Sequence, residues 1–252
     1  MLLIVKRVTL LANILAVVMT FLSTSPAHAM VVTPLTLELT SSGTKNKATV
    51  TVTNDSASEI PVEIEISRVS VSEKGEVKAE PVKGSFLIFP LQQRIPAGGR
   101  QSFRVQWVGA ADIKATETFM FSVNQLPVAL DTKKSGVQLV INFSVLVNVS
   151  PLQAQSAVSL VKADLVADGK NGRRAMLTLR NTGNRHALLG DGSITLTNGG
   201  NWTKTYSGSE LVGALGGMGL LQPGKERHFT MDTKIPIEVS RIDARVEVKA
   251  AR

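Results

Sequence analysis

The chain has 252 residues, no cysteine, and 28 basic against 20 acidic residues, a formal charge of +8. Without cysteine there is no disulfide framework and no thiolate metal site. Aromatic residues make up only 4% and the basic residues are scattered; this excludes the basic stripe with interleaved aromatics that nucleic acid binding uses, but leaves open a basic surface for acidic partners or the cell envelope.

The first segment reads as an export signal. Lys6 and Arg7 precede the apolar run "VTLLANILAVVMTFL", and "STSPAHA" ends in Ala27-His28-Ala29, a small-x-small cleavage site. The apolar run falls short of the ~20 residues of a membrane span, though a retained anchor is the competing reading. Residues 1–29 are therefore assigned to a cleaved signal peptide, leaving Met30–Arg252, 223 residues with 26 basic and 20 acidic side chains. That length suits one or two domains at ~150 residues each, and a domain of ~100 residues can bury its own core without disulfides.

From there the chain alternates. "ATVTVTN" (48–54) stops at Asn54-Asp55, and "PVEIEISRVSVS" (61–72) stops near "EKGE". "FLIFP" (86–90) reads as a short buried run. "RQSFRVQWV" (100–108) puts Phe103, Val105 and Trp107 on one face and Arg104 and Gln106 on the other. "TFMFSVNQLPV" (118–128) is another strand. A basic stretch, "DTKKSG", then leads into "VQLVINFSVLVNVS" (137–150), apolar at every odd position and about twice the usual strand length. Pro151 ends it, since proline cannot donate to a ladder. "SPLQAQS" marks a boundary between 30–151 and 152–252. After it come "AVSLVKADLVAD" (157–168), "RRAMLTLRNTG" (173–183), "SITLTN" (193–198), "KERHFTMD" (225–232) and "DARVEVKA" (243–250). Short β-branched runs punctuated by turn residues, with almost no helical period, predict an all-β fold of the sandwich type.

The halves echo each other. "KATVTVTND" (47–55) resembles "RAMLTLRNTG" (174–183), and "RIPAGGRQSFRV" (94–105) resembles "LLQPGKERHFTM" (220–231), in the same order. "GALGGMGLLQPG" (213–224) lacks the Gly-Lys-Ser/Thr ending of a phosphate loop and reads as a flexible loop.

Catalytic chemistry is hard to find. Past residue 29 only His186 and His228 remain, and both read as exposed or internally satisfied side chains. There is no Gly-x-Ser-x-Gly elbow and no clustered ligand set for a metal. Glu63 and Glu65 are same-face strand neighbours and read as a solvated face rather than an acid–base pair. No enzyme activity and no cofactor are expected.

Taken in order, "FLIFPLQQRIPAGGRQSFRVQWVG" (86–109), "ETFMFSVNQLPV" (117–128), a basic loop and "VQLVINFSVLVNVSP" (137–151) resemble the periplasmic chaperones of the chaperone–usher pilus pathway. The likeness is greatest to the archaic, sigma-type branch and covers most of Thr33–Pro151. The resemblance implies two immunoglobulin-like β-sandwich domains in a boomerang arrangement and a periplasmic location. It implies pilin subunits and an outer-membrane usher as partners, with self-association of the free chain left open. In that family the chaperone lends a long strand to a subunit that lacks its own last strand, a recognised example of β-augmentation. On this chain the lent positions map to Val137, Leu139, Ile141 and Phe143, whereas Val145 to Val149 map to the home core. The best-known branch holds the subunit's C-terminal carboxylate with an Arg and a Lys; the matching positions here are Glu38 and Leu146, which cannot. Arg104 is the first substitute and Arg94 the second. A pilus or surface structural subunit is the alternative reading, set against by the two sandwich patterns; a secreted enzyme or binding protein on the same scaffold is a third.

Overall fold

The computed structural model describes residues 30–127, 140–169, 172–236 and 238–249. The expected signal segment 1–29 and the donor positions Val137 and Leu139 lie outside the described residues.

The first half forms ten strands: β1 (Met30–Thr33), β2 (Thr36–Thr40), β3 (Lys47–Asn54), β4 (Ile60–Val71), β5 (Val77–Pro81), β6 (Phe86–Phe89), β7 (Gln92–Ile95), β8 (Arg100–Trp107), β9 (Glu117–Gln125) and β10 (Asn142–Ser150). They make two facing sheets, β1-β3-β8-β6 and β2-β10-β9-β4-β5, with β7 on β4. The chain changes sheets between β1 and β2, where Pro34 has no N–H to offer a ladder. Alternation decides what is inside: Val50, Val52, Phe103, Val105, Phe119, Phe121, Val123, Val145 and Val147 are all fully buried between the sheets. Each such side chain contributes about 1.5–3 kcal/mol. Phe86 packs edge-on against Trp107 and Phe119, with centroids 5.1 and 4.9 Å away, a favoured aromatic geometry.

The second half adds β11 (Val158–Ala167), β12 (Arg173–Asn181), β13 (Ala187–Leu188), β14 (Ser193–Thr197), β15 (Thr203–Ser207), the helix α1 (Gly208–Leu215), β16 (Leu220–Leu221), β17 (Glu226–Thr230) and β18 (Asp243–Glu247). Its sheets are β11-β12-β17, β15-β14-β18 and the short pair β13-β16. They enclose a separate core that includes Leu177, Leu179, Ile194, Leu196, Leu221 and Phe229.

The sequence echo has a structural counterpart. Asn54 ends β3 and is fully buried; its Nδ2 donates to the carbonyls of Ser58, Ile95 and Pro96 at 2.8, 3.0 and 3.0 Å. Asn181 ends β12 and is also fully buried; its Nδ2 donates to Arg185 O at 2.7 Å and Leu221 O at 3.3 Å. The two backbone amides donate to Gly99 O and Lys225 O. Each half is thus pinned by one asparagine bridging a strand end to the turn that precedes its Phe-bearing strand.

Three expectations are corrected. The run "FLIF" is an edge strand, not a buried one: Leu87 and Phe89 are 60% and 72% exposed. Only one of its faces meets the core, because the sheet packs on its inner face and strand alternation turns Leu87 and Phe89 outward; β6 is also the last strand of its sheet among the described residues. "GALGGMGLLQPG" is partly ordered. Its first residues close α1, where Leu211 and Ala214 are buried three positions apart and Gly216 takes the left-handed cap at φ 66°, and its Leu220–Leu221 pairs with β13. The paired part of the long strand opens at Asn142; Val140 and Ile141 precede it outside the strand, Ile141 keeping one main-chain bond, from Gln125 N at 3.4 Å.

Candidate functional site

Strand β10 has two unlike edges. Along one it pairs antiparallel with β9 from Asn142↔Asn124 to Val149↔Glu117. Along the other it pairs parallel with β2 only from Leu146↔Thr36 to Ser150↔Thr40. Leu146 N donates to Leu35 O and Ser41 N to Ser150 O at the two ends of that ladder, both at 2.9 Å. Strand alternation then turns the main-chain groups of Asn142 and Ser144 the same way as those of Leu146. No described residue pairs with them there. Among the described residues Asn142–Val145 is therefore a short open sheet edge, the feature that invites strand addition.

The side chains grade along the same strand. Val145, Val147 and Val149 are fully buried in the home core. Phe143 is half-buried and packs against that core from its margin. Ile141 is half-buried and outside the ladder, and Val140 is 42% exposed. The entry is held through Gln125: its Oε1 accepts from Ile141 N at 3.2 Å, and its amide donates to both Asn142 Oδ1 at 3.2 Å and Ile141 O at 3.4 Å. Of the four expected donor positions, the structure thus describes two, and commits Phe143 partly to its own domain.

The closed end of this edge carries a polar network that sequence reasoning missed. Asn148, fully buried, sits in register with Glu38 of β2 and Thr118 of β9. Its Nδ2 donates to Glu38 Oε1 at 2.9 Å, and its Oδ1 accepts from Thr118 Oγ1 at 3.0 Å. The second half of the chain completes the network. His186, only 2% exposed, places Nε2 3.0 Å from Glu38 Oε1; a carboxylate only accepts, so Nε2 carries the proton. The His186 amide donates to Thr116 Oγ1 at 3.2 Å, Thr116 N donates to Asn184 O at 2.9 Å, and Arg185 Nη2 approaches Glu38 Oε2 at 3.4 Å. Burial pushes the Glu38 carboxyl upward, but the hydrogen bond and charge of His186, the Asn148 amide and Arg185 together outweigh it and hold the group below its ordinary value. A cleft of about 330 Å³ adjoins the network, lined by Thr36, Glu38, His186, Asp191, Met218 and Lys249. His186 is the satisfied histidine the sequence suggested, but it is buried across the joint between the halves, a placement no local pattern signals.

A second joint lies on β4. Gln222 Nε2 donates to Val69 O and its Oε1 accepts from Val71 N, both at 2.9 Å, while His228 N donates to Glu73 O at 2.7 Å. Gly75 in that hairpin has φ +89°, and a Cβ there would come within 2.9 Å of Arg227 Nη2.

The expected carboxylate anchors stand elsewhere. Arg104 is exposed on the outer face of β8, in the sheet opposite β10, beside Thr49 and Phe89. Arg94 is on β7 and pairs with Glu59 at 3.0 Å, with 71% of its side chain exposed. Neither is brought to Glu38 or Leu146. Among the described residues no group of three or more His, Asp or Glu side chains is placed to hold a metal ion, and no helix is long and apolar enough to cross a membrane.

Residues 29–154, half of the chain, match the family model of the PapD N-terminal domain, described as a pili and flagellar-assembly chaperone. No curated protein sequence matches the chain. Among solved structures, the class 5 fimbriae chaperone CfaA is similar at TM-score 0.53 and 17% identity, over 88% of this chain and 100% of that one. The CsuC–CsuE chaperone–tip adhesion subunit complex from the archaic Csu pili of Acinetobacter baumannii is similar at 0.50 and 14%, over 82% and 92%. The SafA pilin–SafB chaperone complex of Salmonella enterica is similar at 0.50 and 15%, over 82% and 86%. At these identities the likeness is one of fold, two immunoglobulin-like sandwiches in succession.

Proposed function

The chain belongs to the family of pili and flagellar-assembly chaperones, and from that premise we propose that it captures pilus subunits by adding strand β10 to them. The observation that carries this reading is the open edge at Asn142–Val145, continuous with a strand whose other half is locked into its own core. An added strand gains main-chain hydrogen bonds from the edge and specificity from alternate side chains. Val137, Leu139, Ile141 and Phe143 are the proposed donor side chains; four buried aliphatic or aromatic groups represent roughly 6–12 kcal/mol gross, before ordering and association costs.

The finer assignments belong to the same proposal. The motifs "RVQWVG", "VNQLPV" and "NFSVLVNVSP" support the archaic branch. The amino-terminal segment supports export and work in the periplasm, with delivery of the subunit to an outer-membrane usher. The division at Pro151 separates a binding domain from a second sandwich. The family match and the two successive cores weigh against the alternative of a structural subunit, for which a single sandwich is expected.

Co-expression with pilin subunits of the same cell, followed by purification from the periplasm, tests the reading. A chaperone yields a discrete complex with one subunit per chain. A chain that enters polymers itself, or that comes away alone while the subunit accumulates normally, overturns it.

A further inference from the structure

The strand that closes the edge, β2, is five residues long, and something must decide where it stops. Its apolar residues Leu37 and Leu39 face the core, which fixes the face it presents but does little against fraying from its entry. Glu38 lies between them on the opposite face. It is the one β2 side chain tied both along the sheet, to Asn148 of β10, and across the joint, to His186 and Arg185. The partners are themselves held: Asn148 by Thr118, and His186 by Thr116 through both main chain and ring.

We propose that Glu38 is a positioning residue that clamps β2 onto Leu146–Ser150 and seats the second sandwich over that junction, so that the edge offered to a partner strand ends at Val145. A strand added to β10 can then advance only to Leu35–Thr36, where it meets the end of β2 in the same row. The clamp sets the register of the captured strand without touching it. A carboxylate suits this task because it accepts several hydrogen bonds at once and draws an imidazole N–H and a guanidinium to one point. Leu146, at the next outward-facing position of β10, has no polar group to share in the network.

The clamp itself is a property of the free chain; its effect on register rests on the function proposed above. The experiment has two arms. In the first, amide exchange is followed at Leu146 and Ser41, whose N–H groups donate to Leu35 and Ser150 at the ends of the β2–β10 ladder. Glu38→Ala should speed exchange at both by about tenfold or more, as local opening of the strand loses its restraint. Glu38→Gln keeps an acceptor for Asn148 and loses the charge, and should fall between. Amides of the distant β12–β17 pair should not change, which separates unclamping from general destabilisation.

In the second arm, the absence of native cysteine allows Ser144→Cys to be paired with single cysteines placed along the strand that lines the groove of a subunit that co-purifies with the wild-type chain. Wild type should give one dominant cross-link position. Glu38→Ala should spread cross-linking to positions two residues further along, because the period of a strand admits only even slips on one face. Unchanged exchange at Leu146 and Ser41 overturns the clamp. Faster exchange with an unchanged cross-link position overturns the register role. A wild-type chain that captures no subunit overturns the proposed function and the register role with it, while the exchange arm still decides the clamp. If Glu38→Ala fails to fold, Glu38→Gln and Asn148→Ala are read in the same way.

Discussion

Ile141 and Val145 lie four residues apart on one face of the same segment, and a carboxylate introduced at each should have opposite consequences. Val145 is fully buried in the home core. Val145→Asp must bury an ionised group without a partner or protonate it, and it also loses the methyl contacts. Costs of this kind exceed about 4 kcal/mol and reach the whole stability of a typical domain, roughly 5–15 kcal/mol. Ile141 is half-buried, next to exposed Val140 and outside the ladder. An Asp there can turn its carboxylate to water, so Ile141→Asp should lower the stability of the free chain by about 1 kcal/mol or less. In a subunit groove the same carboxylate has no water, and the desolvation penalty of several kcal/mol falls on binding. Urea unfolding followed by circular dichroism, and the amount of subunit retained on the purified chain, measure the two effects. Val145→Asp should be unfolded or nearly so. Ile141→Asp should keep a midpoint close to wild type and retain at least tenfold less subunit, the result of losing about 1.4 kcal/mol or more of affinity. If Ile141→Asp unfolds as badly as Val145→Asp, Ile141 belongs to the home core. If it folds and binds normally, it is not a donor.

Other outcomes are expected from the same structure. Because Glu38 is held below its ordinary value of 4.5, the unfolded chain binds the proton more readily, so its contribution to stability is present above that value and is lost as pH falls through the lower folded one. Urea midpoints measured from pH 6 down to pH 3 should therefore drop less steeply in Glu38→Gln than in wild type; equal slopes would remove Glu38 from the account. Asn54→Ala and Asn181→Ala each leave buried carbonyls without their donor and should each cost about 2–3 kcal/mol, nearly additively, in chemical denaturation. Arg104→Ala and Arg94→Ala should leave subunit retention unchanged, since one lies on the outer face of the opposite sheet and the other on Glu59; loss in either would restore it as the carboxylate anchor. Mass spectrometry of the exported chain should find Met30 at its start, and a retained apolar run would contradict export with cleavage.

What the sequence by itself determined follows from period two. Alternation needs no knowledge of partners, so the interior faces of β3, β4, β8, β9, β12 and β14 were legible from single runs such as "ATVTVTN" and "SITLTN". The echo of an alternating strand ending in an Asn turn was legible too, since it recurs in the same order in both halves. The burial of Asn54 and Asn181 and their bonds to the turn before the Phe-bearing strand came only from the structure. Short strands without a full alternation, β1, β2, β13 and β16, left no such mark, and neither did α1 in a Gly-rich stretch. Tertiary structure decided everything that depends on which neighbour covers a face. Two of the four residues of "FLIF" are exposed because their sheet is packed on one face only and they alternate onto the other. Asn148 and Ser150, on the polar side of β10, are buried because the second sandwich lies over them. Glu38, which reads as an ordinary outward charge in "TLELT", became the centre of a joint because His186 and Arg185, nearly 150 residues away, close on it. Local pattern records which face is apolar; only the assembled sheets and their packing settle where an edge is left open and what holds its end.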